Sequence, residues 1–314
     1  MISADYPALS TLIERQLFHW PEHRSFLEAS FKNRSDDTLG ISQALSTAIL
    51  ILAQDTPGGL ATLIDDYRFL CEVITLPEEI HFRRHGRYRL ARFEDANAEC
   101  YANAAFMARY MNGLLLSNVF WANHANAFTH FATQYLPRLA PGSRHLEIGP
   151  GHGLLLYFAS QCVAVSAITG WDVSPTSIEK TRSALARLGA RLPAELTLQD
   201  MFQAEAPSPD QRFDSLVMSE ILEHLEDPGA ALLAAGRALR TGGHLFVNVP
   251  ANSPAPDHLF LIDSPEHAAN LVQQAGFDVI EVQAFPMSGA TLERARKHKL
   301  AISCVVIARK VEPA

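Results

Sequence analysis

Apolar positions change their spacing along this chain, and the change divides it in two. From about residue 11 to residue 135 they recur every three or four positions, the period of amphipathic helices. Segments 9–20, 41–54 and 59–74 follow this pattern, and 98–135 reads as one or two long helices carrying Tyr110, Asn112, Trp121, Asn123, His124, Asn126 and His130. Between the second and third segments, Asp55-Thr56-Pro57-Gly58-Gly59 is strong loop chemistry. Residues 79–90 differ. Glu79-Ile80-His81-Phe82-Arg83 and Arg87-Tyr88-Arg89-Leu90 alternate on either side of Arg84-His85-Gly86 and predict a β-hairpin. Helices followed by such a hairpin predict a winged-helix-like layout for a mainly helical domain over 1–140. Pro137, Pro141 and Gly142 mark its end.

After Gly142 short apolar runs alternate with helical stretches. Strands are expected at 145–148, 167–173, 196–199, 215–218, 244–249, 278–284 and 300–308. Helices are expected at 153–161, 176–188, 228–239 and 264–275. This is the pattern of an α/β fold: a doubly wound, seven-stranded sheet over 141–314 whose late pair of strands forms an antiparallel hairpin.

Composition narrows the partners. Over 314 residues, 48% are apolar and 19% charged, an ordinary globular balance, and the net charge of −8 argues against a nucleic-acid partner. The four cysteines (Cys71, Cys100, Cys162, Cys304) are scattered, which fits a reducing compartment rather than a disulfide or zinc framework. Residues 1–5 show no signal-peptide pattern, and the longest apolar stretch, 44–53, is too short to span a bilayer. A cytoplasmic protein without membrane or nucleic-acid contacts is expected. Arg83, Arg84, Arg87 and Arg89 read as a solvated hairpin, or as a surface for an acidic substrate or a partner subunit.

The candidate chemistry lies at strand ends. The first strand runs into Leu146-Glu147-Ile148-Gly149-Pro150-Gly151-His152-Gly153. Glycines there let a backbone approach a ligand closely. The G-x-G-x-G spacing departs from the dinucleotide fingerprint, and Glu147 would repel a diphosphate but suit a cationic amino-acid group. Asp172, at the second strand's end, can accept both hydroxyls of a ribose. Asp200, after the third, can accept an adenine amino group, with Met201 or Phe202 against the ring. Three acids in order at one sheet edge fall where open α/β sheets bind ligands.

On these residues, 144–309 resembles a class I S-adenosylmethionine-dependent methyltransferase, in particular the group with quinone-biosynthesis and natural-product enzymes. Phe213-Asp214-Ser215-Leu216-Val217-Met218-Ser219-Glu220-Ile221-Leu222-Glu223-His224-Leu225-Glu226-Asp227-Pro228, Arg240-Thr241-Gly242-Gly243-His244-Leu245 and Ala275-Gly276-Phe277 complete the resemblance. It implies a Rossmann-like fold and S-adenosylmethionine as cofactor. Glu147, Gly149, Gly151 and Gly153 would hold the methionine moiety, Asp172 and Val173 the ribose, Asp200 and Met201 the adenine, with Ser219 nearby. It also implies a small-molecule acceptor, and a helical N-terminal domain that caps the substrate and forms a homodimer.

For catalysis the chain offers Glu220, His224 and His258, with Tyr110 and His124 on the segment that would lie over the cofactor. A helix starting at Ser219 or Glu220 would put 220, 223 and 224 on one face. With His258, Glu220, Glu223 and His224 resemble sets that bind a divalent metal in some methyltransferases, whereas in other relatives the same residues only order a loop. Two rivals stay open at this level: a non-catalytic regulator using the wing, and a nicotinamide-dependent oxidoreductase.

Overall fold

The computed structural model describes residues 5–312. The chain forms two compact units. One takes in the chain up to Thr129 with Asn252–Leu261 and Phe285–Ile302; the other takes in His130–Ala251, Ile262–Ala284 and the chain from Ser303.

The first unit is helical. Helices α1 (Pro7–His19), α2 (Arg24–Phe31), α3 (Asp36–Leu52) and α4 (Gly59–Phe69) come first. The start of α3 follows from its sequence: the Ser35 hydroxyl accepts the Thr38 amide at 3.2 Å, and Asp36 and Asp37 face the positive end of the helix. Helix α4 continues through a π-helical turn, Leu70–Thr75, into α5 (Leu76–His85). Residues 79–85 are therefore helix, not the first arm of a hairpin, and among the described residues no strand lies before Ser143. Pro77 and the acids Glu78 and Glu79 stand in the first turn of α5. Arg83, Arg84 and His85 stand in its last, and Gly86, at φ 67°, closes it in the left-handed conformation. Phe82 is buried and Ile80 exposed, so the alternation at 80 and 82 does not mark one face.

The short α6 (Phe93–Ala96) leads to α7 (Ala104–Phe120) and α8 (Ala122–His130). Helices α4 and α7 approach closely at Gly113, where a Cβ would stand 2.7 Å from Leu70 Cβ. Beside it the buried Asp66 carboxylate accepts from Arg109 Nε at 2.7 Å and from Asn112 Nδ2 at 2.9 Å. Among the described residues no single helix is long and apolar enough to cross a membrane.

The second unit carries the sheet: β1 (Ser143–Ile148), β2 (Val165–Asp172), β3 (Ala194–Leu198), β4 (Phe213–Ser219), β5 (Leu239–Ala251), β6 (Phe277–Pro286) and β7 (Ile302–Lys310). The seven strands run in the order β3-β2-β1-β4-β5-β7-β6. β1 pairs in parallel with β2 and β4, β2 with β3, and β4 with β5; the last strands are antiparallel. Helices α9 (Leu154–Gln161), α10 (Pro175–Leu188), α11 (Pro228–Ala238) and α12 (Pro265–Gln274) connect them. Helix α13 (Leu292–His298) lies between β6 and β7, where only strands were expected. A buried hub ties strands together. The Tyr135 hydroxyl lies 2.7 Å from Ser215 Oγ, 2.9 Å from the His244 carbonyl and 3.2 Å from the Leu216 carbonyl. Ser215 Oγ in turn lies 2.8 Å from His145 Nδ1. Burial drives the His145 pKa down to about 3, so the imidazole is neutral.

Candidate active site at the strand ends

Because β1 to β5 run parallel, their C-terminal ends share one edge of the sheet, and the loop after each strand can aim a side chain there. The β1 loop is built on glycine. Gly149, Gly151 and Gly153 take φ of 66°, 53° and 72°, a region that costs other residues about 1–2 kcal/mol. A Cβ on Gly149 would collide with Ile221 Cδ1. Glu147, 3% exposed, accepts the Leu156 amide at the start of α9, while its Oε2 is buried without a hydrogen-bond partner. Burial pushes its carboxyl well above the usual range, with the nearby Asp172 charge adding to the effect. A buried carboxylate oxygen in need of a donor, next to a loop open to close approach, fits a cationic amino-acid group such as the methionine ammonium of the cofactor.

Asp172 ends β2, where its Oδ1 accepts the Ser174 amide at 2.8 Å and its Oδ2 the Ser177 hydroxyl at 2.5 Å. It thus organises the start of α10 as well as facing the edge. A carboxylate has about four acceptor positions, so both roles are open to it. Val173 is exposed. After β3, Asp200 accepts the Phe202 amide at 2.9 Å and Gln203 Nε2 at 3.0 Å, with Met201 buried and Phe202 exposed beside it.

The β4 loop is constructed differently. No α-helix begins at Ser219 or Glu220: Glu220 takes φ 54°, a 3₁₀ turn covers Leu222–His224, and α11 starts only at Pro228. The single face expected for 220, 223 and 224 is replaced by this irregular turn. Asn248, on β5, holds it. Its Nδ2 donates to Ser219 Oγ at 3.1 Å and Glu220 Oε1 at 2.9 Å, and its carbonyl accepts the Glu220 amide at 2.8 Å. Burial raises the Glu220 pKa to about 7, against the lowering effect of its hydrogen bonds to Glu223 and Asn248. The Asn248 signal was present in the sequence as the one amide in the apolar run Leu245-Phe246-Val247-Asn248-Val249. The expected metal donors come from both units. Glu220, Glu223 and His224 share the β4 loop, with His224 Nε2 3.6 Å from Glu223 Oε1, and His258 belongs to the helical unit.

Within the helical unit, His258 Nδ1 donates to the Ser253 carbonyl at 2.7 Å, which fixes Nε2 as the basic nitrogen. The Tyr110 hydroxyl donates to Asp257 Oδ1 at 3.0 Å, and Tyr101 to Oδ2 at 3.2 Å. Asp257, buried between two phenols, had no signal in the sequence. His124 Nδ1 lies 3.0 Å from Ser117 Oγ, and burial lowers its pKa to about 4.

A doubly wound seven-stranded sheet with this glycine loop, and acids at successive strand ends, defines a class I S-adenosylmethionine-dependent methyltransferase. The chain belongs to the methyltransferase-domain family, which matches residues 120–293, more than half its length. It is 28% identical over 138 residues to a ubiquinone biosynthesis O-methyltransferase of Alkalilimnicola ehrlichii, covering 44% of this chain and 53% of that one. It is 34% identical over 117 residues to the enzyme of the same name from Xylella fastidiosa, covering 36% and 45%. The chain thus spans about half the length of the curated relatives it matches. Among solved structures, a methyltransferase from Methanosarcina mazei aligns over 58% of this chain and 98% of that one, with 16% identity and a TM-score of 0.47.

Proposed function

We propose that the protein transfers a methyl group from S-adenosylmethionine to a hydroxyl oxygen of a small-molecule acceptor, with Glu220 as general base. When bound, the cofactor supplies a sulfonium methyl group, so the S–CH₃ bond breaks as an O–CH₃ bond forms and S-adenosylhomocysteine leaves. The acceptor's proton passes to the Glu220 carboxylate. The observation that carries this reading is Glu220 itself: a half-buried carboxyl at the β4 tip, aimed by Asn248, with its pKa raised to about 7. A base poised there is ionised often enough to act and basic enough to take a phenol-like proton. The β1 loop and Glu147 contribute by holding the methionine end in line, and positioning of this kind contributes ~7–11 kcal/mol. An oxygen acceptor is supported by the relatives named for O-methylation. The reading requires no metal.

The regulator alternative loses its motive, because its wing is the helix α5. A diphosphate would meet the unpartnered Glu147 oxygen, which disfavours the nicotinamide alternative. Calorimetry with S-adenosylhomocysteine, followed by release assays on a panel of catechols and phenols, is the direct test. Binding is expected, weakened at least roughly tenfold in Asp172→Ala by loss of a charged acceptor. Absence of binding, or binding of NADH instead, would sink the proposal.

A further inference from the structure

Helices α5 and α13 of the helical unit end against one another. Arg83 Nη1, in the last turn of α5, donates to the carbonyl of His298, the last residue of α13, at 2.9 Å. Their basic ends therefore form one surface. Residues 83–87 hold Arg83, Arg84 and Arg87 and no acid; residues 293–299 hold Arg294, Arg296, Lys297 and Lys299 with one acid, Glu293. Glu79 binds Arg83 at 2.6 Å, while Glu78 is buried and held by Arg89 at 3.0 Å. With Glu79 and Glu293 counted, seven cations meet two acids on a chain whose net charge is −8. Arg84, Arg87, Lys297 and Lys299 are exposed, and none has a carboxylate partner among the described residues.

Helix dipoles account for part of this charge, since a cation in a last turn answers the negative end of its helix. Arg87 and Lys299 lie past the two helices, however. Lys299 takes φ 49°, a left-handed closing position that Gly86 fills without strain at the end of α5. A second observation is apolar. Leu76, Ile80, Arg83 and Arg84 share the outward face of α5, opposite the buried Phe82. Leu76 and Ile80 are 53% and 43% exposed, and Val73, in the π-helical turn before them, is 56% exposed. An aliphatic ridge thus runs straight into the cationic surface.

We propose that this face docks the protein on an anionic lipid bilayer, with Val73, Leu76 and Ile80 at the acyl boundary and the arginines and lysines on the lipid phosphates. Apolar contact and charge attraction add in docking of this kind, and long basic side chains reach phosphates while their stems stay on apolar surface. None of the exposed residues of this face is a Phe, Tyr or Trp on which a nucleobase could stack, which favours lipid over RNA. The expectation of no membrane contact rests on segment length, which bears on spanning and not on a surface. The inference does not rest on methyl transfer.

Flotation of the full chain with vesicles tests it, with S-adenosylhomocysteine affinity measured on every variant. The chain should float with vesicles of mixed phosphatidylglycerol and phosphatidylcholine at about 0.1 M salt, and be released at about 0.5 M. Pure phosphatidylcholine vesicles should leave it behind. A basic residue near an anionic bilayer strengthens binding roughly fivefold, so Arg84→Glu with Lys297→Glu should weaken it at least roughly twentyfold. Leu76→Ser with Ile80→Ser, both at exposed positions, should weaken it roughly tenfold. Cofactor affinity should stay unchanged throughout, which shows that the variants fold and separates failure here from failure of the enzymatic reading. Absence of flotation with phosphatidylglycerol, equal flotation with phosphatidylcholine alone, or flotation indifferent to both double variants would overturn the inference. Displacement by millimolar inorganic phosphate would reduce the face to a simple anion site and overturn it too, as would tighter binding to a single-stranded RNA oligonucleotide than to the vesicles.

Discussion

The loops after β1 and β4 reach the same edge of the sheet and both use left-handed backbone, but with opposite chemistry. In the β1 loop the positive φ values fall on Gly149, Gly151 and Gly153; in the β4 loop one falls on Glu220, at 54°. Glycine takes that conformation freely, and its missing Cβ leaves room for a ligand. A glutamate there is strained by about 1–3 kcal/mol and persists only where its surroundings hold it. Asn248 does so, through the Glu220 amide and carboxyl together. One loop is shaped to be approached, the other to aim a single side chain.

The largest effect that separates them is catalytic. Glu220→Gln keeps the shape of the side chain but cannot accept the proton, and kcat should fall by ~10²–10⁴-fold with S-adenosylhomocysteine affinity intact. Stopped-flow or product assays beside calorimetry would show the split, and parallel losses of both would erase the distinction. Gly149→Val should do the reverse. A β-branched residue at φ 66°, colliding with Ile221, should weaken cofactor binding by roughly a hundredfold, through an effect absent from the β4 loop.

The pH dependence sharpens the comparison further. As a base with a pKa near 7, Glu220 is inactive when protonated, so kcat should rise as pH increases through about 7. The Asn248 hydrogen bond favours the ionised form, so Asn248→Ala should move the inflection upward. Stability runs the other way. The folded chain keeps a proton on Glu220 above its ordinary value of 4.5, so Glu220's contribution makes the fold less stable as pH rises from about 4.5 through 7. Glu220→Gln should flatten that segment of the stability curve. The smallest effect is Glu220→Gly, which relieves backbone strain and should raise unfolding stability by about 1 kcal/mol in a denaturant titration.

How legible these features were depends on the range of the interactions that make them. The β1 loop announced itself because an apolar strand and three glycines lie within eight residues. The order of the sheet followed from the alternation of short apolar runs with helical stretches. Segment 79–90 reads as a hairpin because Ile80 and Phe82 imitate a strand's period over one turn. The end signals Pro77, Glu78-Glu79, Arg83-Arg84-His85 and Gly86 described a helix throughout. Asn248 holding Glu220, and Asp257 between Tyr101 and Tyr110, join residues 28, 156 and 147 positions apart. No local period encodes such pairs. The strained backbone of Glu220 is likewise set by its β5 neighbour.

The Tyr135 hub has a spectroscopic consequence. Burial holds both Tyr135 and Tyr67 well above the range in which a phenol ordinarily ionises. Both should stay dark in an alkaline ultraviolet titration until the chain opens. The late, cooperative appearance of their phenolate absorbance would therefore act as an intrinsic gauge of unfolding. Tyr135 would report from the sheet and Tyr67 from the helical unit, with no label attached.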